Sequence, residues 1–162
     1  MAIESRATQV APSVLDRLFD DNPREPLEAT SYRGASLQAF KRAVARDLEA
    51  LLNSRCVDLD EEIEAHPQAR NSMLAFGIID LSSLSLLDPD DRAYLRDKIR
   101  ITLERHETRL GKIRVTLEAP EGNERMLRFR VDALLKVHPT KPPVSFDATL
   151  QLSSSSYQIQ EK

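Results

Sequence analysis

Apolar residues recur along this chain with two different periods. Leu37, Phe40, Val44, Leu48, Leu51 and Leu52 fall at helical spacing, while Lys41, Arg42, Arg46, Asp47 and Glu49 lie largely off that stripe. The pattern predicts a helix from about Ser36 to Asn53 that needs a partner surface for its apolar face. A second helix opens at Asp88-Pro89, where aspartate can cap and proline suits the first turn. Its buried line is Leu95, Ile99 and Leu103, and it ends near His106. The period then drops to two. Ile113, Val115 and Leu117 alternate with polar residues, Pro120-Glu121-Gly122-Asn123 signals a turn, and Leu127, Phe129 and Val131 alternate again. A third strand puts Val144, Phe146, Ala148, Leu150 and Leu152 on one face. Helices followed by consecutive strands predict an α+β fold: a small antiparallel sheet of about three C-terminal strands packed against N-terminal and central helices.

The remaining segments are less regular. Residues 1–12 read as a flexible polar tail, and Ser13 as the cap of a short helix carrying Val14, Leu15, Leu18 and Phe19. Asp20-Asp21-Asn22-Pro23 ends that helix, and a loop runs on to Ala35. Acidic residues from Asp58 to Glu64 lead to a break at His66-Pro67. The leucine-rich stretch from Met73 to Leu87 reads as buried irregular structure or short turns. A single domain is expected over 13–152, followed by a polar tail over 153–162 in which Ser153 to Ser156 fray.

Composition narrows the function. With 23 Lys and Arg against 26 Asp and Glu in 162 residues, the formal charge of -3 offers no concentrated basic face for nucleic acid. Cys56 stands alone, so the chain can form no internal disulfide, and a reducing, cytoplasmic setting is expected. No apolar run approaches the roughly twenty residues of a membrane helix, so no membrane insertion is expected. His66, His106 and His138 lack ligand partners at i+3 or i+4, and no nucleotide loop or nucleophile elbow occurs. No metal or other cofactor is implied.

Several segments in series carry a resemblance. Ser13-Val14-Leu15-Asp16-Arg17-Leu18, the run Arg46-Asp47-Leu48-Glu49-Ala50-Leu51-Leu52-Asn53-Ser54-Arg55, Gly77-Ile78-Ile79-Asp80-Leu81-Ser82, Glu107-Thr108-Arg109-Leu110, Arg128-Phe129-Arg130-Val131 and Val144-Ser145-Phe146-Asp147 keep the order of corresponding motifs in one family. The chain resembles the TssE family of type VI secretion baseplate subunits over most of its length. Ile79 and Thr108 stand where that family usually has proline, and Cys56 where it tends to be basic. The resemblance implies the fold of the contractile-tail wedge protein once described as lysozyme-like. It also implies a structural role at the cytoplasmic side of the inner membrane, binding other wedge subunits and helping to start the contractile sheath.

Two regions are candidate contacts. Leu150-Gln151-Leu152 carries no charge to block strand pairing, so the strand with Val144, Phe146, Ala148, Leu150, Gln151 and Leu152 could form a docking edge for sheath strands; the chain's own tail or a helix could equally cover it. Glu107 and Arg109 flank Thr108 at the helix-to-strand transition. By pattern they read as a solvated surface pair, whereas the resemblance implies a contact with another baseplate subunit. Asp80 and Leu81 are expected to shape the neighbouring loop. The rival reading is a lysozyme-like glycosidase acting on peptidoglycan, with carboxylates such as Glu107 paired with Asp80 or Asp132. The chain has no tryptophan and three tyrosines, few platforms for sugar rings.

Overall fold

The computed structural model describes residues 13–14, 18, 36–56, 65–80, 84–85, 87–118, 126–137, 141–151 and 156–161. The expected tail over 1–12, most of the short helix after Ser13, the loop to Ala35, the acidic segment 58–64, the turn at 120–123, and the residues Leu81, His138 and Leu152 lie outside them. The chain divides after Val44 into two compact units.

Helix α1 spans Leu37–Asn53. It begins close to the predicted start, and the Ser36 hydroxyl caps it by accepting the Ala39 N–H at 3.1 Å. Helix α2 spans Pro89–His106, with the Asp88 carboxylate accepting the Asp90 N–H and proline in the first turn. Asp90 and Asp91 at its start and Arg105 and His106 at its end match the helix dipole. Its buried residues are Leu95, Ile99 and Leu103, the line read from the spacing. Between the helices lie two single-turn 3-10 helices, Ala69–Asn71 and Met73–Ala75.

Four strands follow: β1 Leu110–Leu117, β2 Met126–Leu135, β3 Pro143–Gln151 and β4 Ser156–Glu161. Each pairs antiparallel with the next, giving the order β1-β2-β3-β4. The fold is α+β as expected, with one strand more. The stretch read as a fraying polar end contains β4. Gln158 and Gln160 are exposed there, and Tyr157 and Ile159 are buried.

The register carries one set of side chains to the core. Leu127 faces Leu150, which faces Tyr157; Phe129 faces Ala148, which faces Ile159. Tyr157 meets Phe129 edge-to-face at 6.1 Å. Leu48, Leu52, Ile78, Leu95, Ile99 and Leu103 complete the set of large, fully buried side chains with the strand residues. Each stabilises the fold by about 1.5–3 kcal/mol relative to exposure. Helix α2 packs along β1. The opposite sheet face is polar: Arg130 donates to Asp147 at 2.8 Å, and Ser145 donates to Asp132.

Candidate functional site

The helix-to-strand transition is an internal clamp. Glu107, the C-cap of α2, is only 6% exposed. Its carboxylate accepts the Arg109 N–H at 3.0 Å and the Arg109 Nε at 2.7 Å, and its second oxygen takes one Nη. The same guanidinium donates to Asp47 on α1 at 2.7 Å. A buried carboxylate needs such pairing, because removal from water without a counter-charge costs several kcal/mol. The hydrogen bond that Arg109 donates to Glu107, reinforced by the charges of Glu107 and Asp47, raises the Arg109 ionisation above the ordinary arginine range and keeps it charged. Arg109 also accepts the Lys136 N–H through its carbonyl at 2.7 Å, and the Leu110 N–H closes the turn onto the Glu107 carbonyl. Glu107 and Arg109 are thus not the solvated pair that the pattern suggests. Thr108 between them is exposed.

The expected docking strand is not an edge. β3 pairs with β2 on one side and β4 on the other, and Val144, Phe146, Ala148 and Leu150 are all buried core. Gln151 pairs with Ser156 of β4. The chain's own C-terminal strand covers that side, the alternative that the uncharged Leu150-Gln151-Leu152 run left open.

β4 in turn is closed by α1. Main-chain groups alternate in direction along an antiparallel strand, so Tyr157 and Ile159 point theirs away from β3. Asn53 meets Tyr157 twice, accepting its N–H at 2.8 Å and donating to its carbonyl at 3.0 Å. The Glu49 carboxylate accepts the Ile159 N–H at 2.9 Å. Two side chains one helical turn apart thereby imitate a neighbouring strand.

β1 forms the other edge. Glu118 donates to the Arg128 carbonyl, so Thr116 and Arg114 face β2 while Val115 and Leu117 turn their main-chain groups outward. Among the described residues nothing is hydrogen-bonded to those outward groups. A bulge interrupts the strand between Gly111 and Arg114, with Lys112 at a φ of 52°.

Gly77 explains the glycine of the Gly77-Ile78 motif. Its φ is +110°, and a Cβ there would stand 2.5 Å from the Ser54 carbonyl oxygen. That close approach lets Ile78 donate to Ser54 and accept from Cys56, tying the segment to the end of α1. Asp80, expected to shape this loop, is exposed. His106 holds the preceding turn: its Nε2 lies 2.8 Å from the Ala75 carbonyl and its ring stacks edge-on against Phe76.

Burial lowers the His106 pKa below its ordinary 6.5, with Arg105 adding to the effect against the Ala75 bond. The unfolded chain therefore binds the proton more readily, and this part of the stability is present above the ordinary value and lost as pH falls through the folded one. Thermal denaturation between about pH 7.5 and pH 5.5 should show a larger fall in Tm for the wild type than for His106→Gln. An equal fall in both would assign the acid sensitivity elsewhere.

No group of three or more His, Cys, Asp or Glu among the described residues could hold a metal ion, and no helix there is long and apolar enough to cross a membrane. On the polar sheet face, Arg114, Arg128 and Arg130 are offset by Glu118, Asp132 and Asp147. An open depression of about 350 Å³ lies there, bordered by Arg128, Arg130, Thr149, Gln158 and Gln160.

The clamp and the strand-capping residues of α1 all fall within a stretch that matches a known family. The sequence model for the baseplate wedge protein gp25 covers residues 38–140, well over half of the chain. The chain belongs to the baseplate wedge protein gp25 family. No curated protein and no solved structure matches it. This family is structural, and a baseplate wedge protein interacts with other baseplate subunits. In this wedge protein the match holds Asp47, Glu49, Asn53, Gly77, Glu107, Arg109 and β1, and ends before β3 begins.

Asp47, Glu49 and Asn53 had no role in the sequence reading beyond lying in a motif. They sit at spacings that place them off the apolar stripe, and a polar residue beside a buried helix face was the available signal. Their partners lie 62, 110 and 104 residues away, so local pattern could not name them.

Proposed function

We propose that this wedge protein is a structural subunit of a type VI secretion baseplate, lying in the cytoplasm against the inner membrane. It binds other wedge subunits and helps start the contractile sheath, and the outer edge of β1 is where a partner strand adds. The observation that carries the docking site is the asymmetry of the sheet: α1 side chains close β4, while the outward groups of Val115 and Leu117 have no hydrogen bond among the described residues. A strand added there gains main-chain bonds, and its alternate side chains set the register. The secretion context and the sheath partner rest on the motif series in the sequence together with the family membership.

The glycosidase reading loses its named acid. That chemistry needs a carboxyl free to reach a glycosidic oxygen, yet the Glu107 carboxylate is buried and both its oxygens accept from Arg109. We therefore read the chain as a scaffold rather than an enzyme.

Leu117→Pro tests the edge. It removes an N–H that has no hydrogen bond among the described residues and blocks an incoming strand. Tagged wild type should recover baseplate and sheath proteins from cells expressing the neighbouring secretion genes, and the folded variant roughly tenfold less. Equal recovery by both chains would move the contact away from β1. Recovery of no partner by the wild type, together with cleavage of peptidoglycan, would favour the enzyme.

A further inference from the structure

We infer that Glu49 and Asn53 are specificity residues for strand docking: they close the β4 edge so that a strand can add to this sheet at β1 alone. This rests on reading β1 as the docking edge. A sheet with two unblocked edges is self-complementary in a dangerous way, because β1 of one copy can pair with β4 of the next. Such a head-to-tail contact does not close on itself and builds open-ended chains of the subunit.

Among the described residues, the geometry supplies the block on one side only. Three outward main-chain groups of β4, the N–H and carbonyl of Tyr157 and the N–H of Ile159, are occupied by side chains of α1. Other common protective devices are absent from the middle of this strand: Gln158 and Gln160 are uncharged, and no proline occurs between Ser156 and Glu161. The β4 edge is protected by α1 instead of by its own residues. Each bond uses a residue of the Arg46–Arg55 motif, which nothing about helix formation requires: Glu49 is half-buried, and Asn53, the last residue of α1, is a weaker helix former than the leucines beside it. Their placement one turn apart matches the two-residue repeat of outward groups along β4.

The test uses the full chain alone, so it can fail while the partner experiment stands, and the reverse. In the wild type, the Tyr157 and Ile159 amides should exchange with deuterium as slowly as the inward amides of Gln158 and Gln160. In Glu49→Ala/Asn53→Ala they should exchange roughly tenfold faster. Sedimentation should show a monomeric wild type and a double variant that associates with rising concentration. Adding Leu117→Pro to the double variant should reverse the association, since it blocks the β1 side of the same contact. A folded double variant that stays monomeric would overturn the inference, as would association untouched by Leu117→Pro. If the double variant does not fold, the wild-type exchange decides alone: Tyr157 and Ile159 amides as fast as unprotected ones would overturn it.

Discussion

Gly77→Ala is expected to destabilise the protein by about 3–5 kcal/mol, a large share of the roughly 5–15 kcal/mol that holds a domain of this size. Two independent costs meet at the residue. A φ of +110° is strained for any residue with a Cβ, and the added carbon would stand 2.5 Å from the Ser54 carbonyl oxygen, inside any real contact distance. The clash is with backbone, so no side-chain rotation relieves it. Relief requires Ile78 and Ser54 to part, which breaks the 2.9 Å bond between them and lifts the buried Ile78 from the core. Gly111→Ala is the natural control. A Cβ there would meet the Lys136 side chain at 2.8 Å, the far end of a flexible group that can swing aside. Its cost should stay below about 1 kcal/mol. Urea denaturation of the two variants checks the contrast; equal losses would mean that the approach of residues 77 and 54 is not what the glycine serves.

Arg109→Ala comes next, at about 3–5 kcal/mol, because it strands a carboxylate that is 6% exposed. The loss of the Asp47 contact adds little, since that side chain is 38% exposed and water replaces its partner. The decisive comparison is a cycle. Glu107→Gln/Arg109→Leu removes both charges at once and should cost clearly less than Arg109→Ala alone, with a coupling of about 1–3 kcal/mol. Additive losses would show that the two residues act separately. Partner recruitment by these variants must be read against their stability, because the clamp fixes where β1 begins.

Local signals carried the helices. The Asp88 cap, Pro89 and the Leu95-Ile99-Leu103 line all lie within a few residues of what they determine, and the structure has them where the sequence puts them. The first three strands followed from alternation of apolar and polar residues over 113–117, 127–131 and 144–152. β4 escaped because six residues that begin in a serine tract offer only Tyr157 and Ile159 as apolar positions, too few to set a period. That omission misplaced the sheet edge, turning the interior strand β3 into a docking strand. The clamp was half legible. Glu107 and Arg109 stood out by their motif, but the further partner of the guanidinium is Asp47, and a contact across 62 residues leaves no periodic trace. Edge closure by Glu49 and Asn53 was invisible for the same reason.

One measurement bears most directly on the function proposed. A photocrosslinking residue placed at Thr116, exposed on β1 beside the outward groups of Val115 and Leu117, would be activated in cells that build the secretion machine. A crosslink is expected to one segment of a baseplate or sheath protein in which alternate residues are apolar, and it should be lost when Leu117→Pro is added. Crosslinks to no such protein, in cells where the baseplate and sheath assemble with the modified chain, would contradict the proposed docking at β1.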